Sequence, residues 1–108
     1  MSGIERIAAE RRRQIEVEGW TLEHDDAHGH GEIVGAALCY LNNAGMIGDW
    51  PDAAPGLDWP WDIAWWKPEP RDGGRITCAA SIRMLEKAGA LIAAEIDRLE
   101  RRIQGGET

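Results

Sequence analysis

From Ile82 to Ile103 the chain places Ile82, Leu85, Gly89, Ile92, Ile96, Leu99 and Ile103 at alternating spacings of three and four. That period belongs to an α-helix with one straight apolar seam, and three heptads of it ask for another helix alongside. The predicted helix covers 76–103, roughly 42 Å in length. Gly89 within the seam admits a close neighbour at a propensity cost of about 1 kcal/mol. Glu95 with Arg98, and Asp97 with Arg101, stand at helical spacing for pairing on the outer face.

Two shorter helices precede it. Over 2–18, Ser2 followed by Glu5 forms a capping-box pattern and Gly19 supplies a stop. Ile4, Ile7, Ala8, Arg11 and Ile15 fall on one narrow stripe of this helix. Over 31–43, Ile33, Val34, Ala36, Ala37, Leu38, Tyr40 and Leu41 leave almost no polar face, which predicts a central helix covered on most sides. Between them "GWTLEHDDAHGHG" reads as a polar, glycine-rich connection. The segment 46–72 contains all five prolines and cannot be a long helix. An ordered, wrapped loop with one short turn around Ile63 to Trp66 is expected there. The fold class is all-α: a three-helix bundle, one domain over 1–108, with a long Trp/Pro-rich ordered loop between the second and last helices.

Composition narrows what such a bundle does. Apolar residues make up 44% and charged residues 29%, the balance of a soluble globular domain. The longest apolar run, around Ala88 to Ala94, is too short to span a membrane, and the N-terminal stretch lacks the apolar core of a secretion signal. Cys39 and Cys78 each lie in an apolar helical pattern, as two buried thiols of a reducing cytoplasm would. A net charge of −7 argues against a protein that coats duplex nucleic acid. Two basic clusters stand out, Arg11, Arg12 and Arg13 near one end and Arg98, Arg101 and Arg102 near the other. Each is either a solvated helix face or half of an anion site.

Candidate chemistry is confined to two stretches. "EHDDAHGHGE" brings His24, Asp25, Asp26, His28, His30 and Glu32 within nine residues, and imidazoles with carboxylates are ligands for zinc, manganese or magnesium. The plainer reading is a helix cap and turn. No G-x-S-x-G, P-loop or G-x-G-x-x-G is present, and Ser81 has no local base, so an acyl-transfer enzyme is not expected. The second stretch, residues 50–66, holds Trp50, Trp59, Trp61, Trp65 and Trp66, five of the six tryptophans. Indole faces can cover helices, sandwich a flat ligand whose phosphates go to arginines, or serve as hot spots for a protein partner. Trp50 and one of Trp65 and Trp66 are expected to face inward, because adjacent residues of an extended segment point opposite ways. Trp59 and Trp61, two apart across Pro60, are expected to share a side and present a rigid aromatic edge.

The blocks "ERRRQIEVEGWTLEHDD", "WPWDIAWWKP" and "RMLEKAGALIAAEIDRLERR" resemble a family of small proteins carried by phages and prophages of bacteria. The resemblance covers nearly the whole chain and implies an accessory role in the cytoplasm of a bacterial host cell, without supplying a reaction. More loosely, the chain is similar to MazG-type nucleotide pyrophosphohydrolases, all-helical oligomeric enzymes that hold magnesium on an E-x-x-E helix and a later E-x-x-D. It departs from them where Gly35 and Ala36 follow Glu32, and where the last helix offers only Glu95 and Asp97 or Asp97 and Glu100.

The combined expectation is a non-enzymatic accessory protein without a cofactor, binding a nucleotide-like small molecule or a host bacterial protein, in a counter-defence role. Trp59, Trp61, Trp65, Trp66, Lys67, Arg12 and Arg13 are the binding candidates, and the long seam predicts a homodimer. The alternative is a divergent nucleotide pyrophosphohydrolase holding a divalent metal, Mg or Mn, on His24, Asp25, Asp26, His28 and Glu32 with carboxylates of the last helix.

Overall fold

The computed structural model describes residues 1–44, 59–69 and 76–108, and everything structural below concerns these. They form an all-α bundle: α1 (Gly3–Glu16), α2 (Leu22–Asp26), α3 (Glu32–Ala44), a 3₁₀ turn (Ile63–Trp65) and α4 (Cys78–Gln104). Local chemistry sets the starts. The Ser2 hydroxyl accepts from the Glu5 N–H while the Glu5 carboxylate accepts from the Ser2 N–H, closing a capping box on α1. Thr77 accepts from the Ala80 N–H and starts α4. After α1, Gly19 adopts a φ of 75°, a region that costs glycine little, and the Trp20 N–H turns back to the Gln14 carbonyl. No helix among the described residues is long and apolar enough to cross a membrane.

The last helix, not the second, is central: α1, α2 and α3 each pack on α4. The core joins Ile33, Ala36, Ala37 and Tyr40 of α3 to Met84, Ala88, Leu91 and Ala94 of α4. Four alanines at this contact bring the two helices close, and the Ser81 hydroxyl donates to the Ala44 carbonyl at 2.7 Å to tie their ends. This row of α4 lies to one side of the heptad seam. Consequently Ile82, Leu85, Ile92, Ile96, Leu99 and Ile103 are not the intramolecular face; they stay 41–57% exposed. Gly89 alone is covered, and a Cβ there would lie 2.7 Å from Ile7 of α1, so this glycine is what lets α1 approach. On α3, Val34, Leu38 and Leu41 are likewise exposed, so the second helix is open along one side rather than covered all round.

Three further expectations shift. In α1 the buried residues are Glu10 and Gln14, while Ile4 and Ile15 are exposed, because Glu10 faces Arg83 of α4. Glu95 and Arg98 are a buried mutual pair rather than an outer one. Cys39 is buried, but Cys78 is exposed in the first turn of α4.

Candidate aromatic cleft

The described part of the tryptophan segment lies on α3 at Tyr40. Trp66 packs on the Tyr40 ring with centroids 4.7 Å apart, and Trp59 meets both edge-on, at 5.8 Å from Tyr40 and 5.0 Å from Trp66. Polar bonds hold the segment there. The Lys67 N–H donates to the Tyr40 hydroxyl, and the Lys87 ammonium of α4 donates to the Lys67 carbonyl at 2.6 Å while sitting over the Tyr40 ring. Burial pushes the Lys87 pKa down and that of Tyr40 up. Asp62 starts the 3₁₀ turn by accepting from the Ala64 N–H, and its carbonyl accepts from the Trp59 indole N–H. This turn sets the two adjacent indoles apart. Trp66 goes inward and Trp65 outward, half exposed beside an exposed Ile63.

Trp59 and Trp61 do share a side, with ring centroids 5.5 Å apart, but it is the inner one. Both pack on the core, so they form no free edge. Trp61 reaches instead toward α2, where its ring meets Trp20 at 6.0 Å and His28 edge-on at 5.3 Å. Trp20 in turn stacks parallel on His24. Trp20, His24, His28, Trp61 and Trp65, together with Glu18 and Asp62, line a cleft of about 340 Å³. That is enough for a small ligand. Trp50 lies outside the described residues.

The histidines of the cleft are oriented by hydrogen bonds that fix what they offer. The His28 Nδ1 lies 2.8 Å from the His24 carbonyl, which can only accept, so Nδ1 carries the proton. The His24 Nδ1 lies 3.2 Å from the Asp25 carboxylate, with the same consequence. In each neutral ring the remaining nitrogen, Nε2, is then an acceptor. With the Glu18 and Asp62 carboxylates, the cleft is rich in acceptors and aromatic faces.

The arginines lie elsewhere. Arg11 pairs with the buried Asp25 at 3.0 Å, and Arg13 with Glu10 and Glu18. Arg98, Arg101 and Arg102 pair with Glu95, Asp26 and Glu107. Arg12 is exposed on α1, and neither it nor Arg13 lines the cleft. Five of the six clustered arginines thus find carboxylates, and Arg98, Arg101 and Arg102 line one hollow with Asp26 and Glu107 that Arg11, Arg12 and Arg13 do not line. Lys67 lies outside the cleft too, in a smaller charged hollow with Glu10, Gln14 and Lys87. In that hollow Glu10, 4% exposed, accepts from Arg13 at 2.7 Å and lies 2.8 Å from Arg83. Burial favours its neutral form, but those guanidiniums outweigh burial and hold its carboxyl below the ordinary glutamate value.

The metal candidates are distributed among other partners. Asp25 is tied to Arg11, Asp26 to Arg101, and Glu32 accepts from the His30 N–H. Among the described residues no three His, Cys, Asp or Glu side chains stand together as a metal ion requires. Two of the cleft's main walls, Trp20 and the adjoining His24 and His28, were absent from the ligand-binding set expected from sequence, which held the histidines only as metal candidates. The i, i+4 spacing of His24 and His28, four residues after a lone tryptophan, was the available signal. Set against family models, functionally described proteins and solved structures, the chain has no match in any of the three comparisons.

Proposed function

We propose that this chain is a binding protein without catalytic activity, whose cleft between α2 and the tryptophan segment takes a flat, amino-bearing ring such as a nucleobase. The observation that carries this reading is the cleft's lining: Trp20, Trp61 and Trp65 supply stacking faces, while His24, His28, Glu18 and Asp62 supply acceptors. Stacking on an aromatic side chain is worth about 1–3 kcal/mol per base. Exocyclic amino groups suit the acceptors. Phosphates suit it less, because the lining carries the Glu18 and Asp62 carboxylates and no arginine or lysine. A nucleotide-like ligand therefore enters base first, with its phosphates directed to solvent. On the resemblance to phage-borne proteins, the setting is the cytoplasm of an infected or lysogenic bacterium, and sequestering such a ligand would serve counter-defence.

A second reading, a host protein as partner, draws on one observation. The 3₁₀ turn presents Ile63, 64% exposed, beside Trp65, 50% exposed, and such a protruding pair is hot-spot material. The pyrophosphohydrolase reading has less behind it, since its carboxylates pair with arginines, Asp25 with Arg11, Asp26 with Arg101 and Glu95 with Arg98.

Titrating the intrinsic tryptophan fluorescence with adenosine, guanosine and cytidine, and with their 5′-monophosphates, separates these readings. Quenching by at least one nucleoside is expected, with the monophosphate binding no tighter. Trp65→Ala should weaken that binding at least about fivefold, the lower end of one stacking contact, while leaving the melting temperature in place because Trp65 is half exposed. Binding as tight in Trp65→Ala as in the parent, or no quenching with any probe, speaks against the cleft as the site.

A further inference from the structure

Among the described residues, the heptad seam of α4 is left open except at Gly89, where Ile7 of α1 lies against it. Its six aliphatic side chains, with Val34, Leu38 and Leu41 of α3, are each 39–57% exposed. Val34, Leu38 and Leu41 meet Ile92 and Ile96 along an apolar groove of about 250 Å³ between the two helices, and Leu99 and Ile103 continue it at helical spacing, while Ile82 and Leu85 line a separate hollow beside Ile7 of α1. The described tryptophans do not reach the groove. Trp59 and Trp66 pack on Tyr40, which points about 200° around α3 from Leu38 two residues earlier, and Trp20, Trp61 and Trp65 line the cleft at α2.

We infer that a second copy of this chain covers this face, making the protein a two-fold homodimer through α4 and α3. Area is the first argument. Val34, Leu38, Leu41, Ile92, Ile96, Leu99 and Ile103, seven half-exposed aliphatic side chains, amount to an apolar strip on the order of 550 Å², at the upper end of the usual patch on a monomer and most of the ~800 Å² per partner of a standard interface. Period is the second. A strict three-four alternation over three heptads matches a helix of similar length and spacing, and among the described elements only α4 itself, at 27 residues, is longer than 14. A two-fold axis lets the same patch serve on both sides.

Charge gives this pairing a signature. Each copy carries −7, so the protomers repel at long range, while the seam's own side chains from Ile82 to Ile103 are uncharged. Salt screens the repulsion and leaves the apolar contact intact, so the dimer should tighten as salt is added. The tryptophan cleft shares no residue with the seam, and each copy keeps its own.

Sedimentation velocity on the full chain tests this. A dimer is expected at roughly 50 µM, with a dissociation constant in the micromolar range or below that falls as sodium chloride rises. The double variant Ile92→Glu/Ile96→Glu should raise that constant at least about 100-fold by burying unpaired charge in the pair. Both positions are exposed in the single chain, so far-UV and near-UV circular dichroism should not change. Leu99→Glu, nearer the open end, provides the same test should the double variant fold poorly. A monomer at every concentration and salt, or a variant that still dimerises like the parent, overturns the proposal and gives the seam to another occupant.

Discussion

Trp66→Ala should destabilise the protein by about 3 kcal/mol, the low end of what a buried aromatic truncation costs, and Trp59→Ala/Trp66→Ala by more. Trp66 lies on Tyr40 and against Trp59, and both indoles pack on the α3–α4 core. Removing them opens a void that helices already spaced by alanines cannot close. The Lys87 and Tyr40 bonds to Lys67 then hold a backbone with nothing beneath it. For a domain whose whole stability is about 5–15 kcal/mol, the double variant is expected to be partly unfolded at 37 °C. Urea titration followed at 222 nm measures the loss. A double variant as stable as the parent would mean that the segment is decoration on a self-sufficient bundle.

Glu10→Gln should cost a comparable amount, about 3 kcal/mol, because it removes the carboxylate shared by Arg13 and Arg83 from a buried position. The pH dependence identifies the mechanism. The folded-state pKa of Glu10 lies below its ordinary value. Its contribution is therefore fully present above the unfolded value of about 4.3 and is lost as pH falls through the folded one. The parent should lose stability from about pH 4 downward, and Glu10→Gln should show a shallower acid limb from a lower start. Parallel acid limbs in the two proteins would assign the loss to other carboxylates.

How much of this was legible beforehand depends on the kind of signal. Helices announced by periodicity and caps appear where expected: the Ser2 and Glu5 capping box opens α1, and α4 runs from Cys78 to Gln104. The turn around Ile63 is there, as is the division of Trp65 from Trp66. Which face of each helix turns inward was not legible. The largest aliphatics of α4 mark the seam, yet α3 chose the row of alanines beside it, since small side chains permit closer packing. In α1 a glutamate and a glutamine displaced isoleucines, because Arg83 offers Glu10 a partner that only the folded chain brings near. The short α2 carries no apolar period. It is held by tertiary ion pairs, Arg11 with Asp25 and Arg101 with Asp26, which no local pattern reveals. The cleft followed from that hidden helix, and so Trp20, His24 and His28 came together with Trp61 only in three dimensions.

The division of the indoles into supports and cleft walls is tested most directly by their own N–H signals. In a ¹⁵N-labelled sample titrated with the nucleoside that quenches fluorescence most, the Trp20, Trp61 and Trp65 indole resonances should shift together along one saturating curve. Those of Trp59 and Trp66 should stay in place. Shifts confined to Trp59 and Trp66, or no indole shift with any nucleoside, would contradict the account.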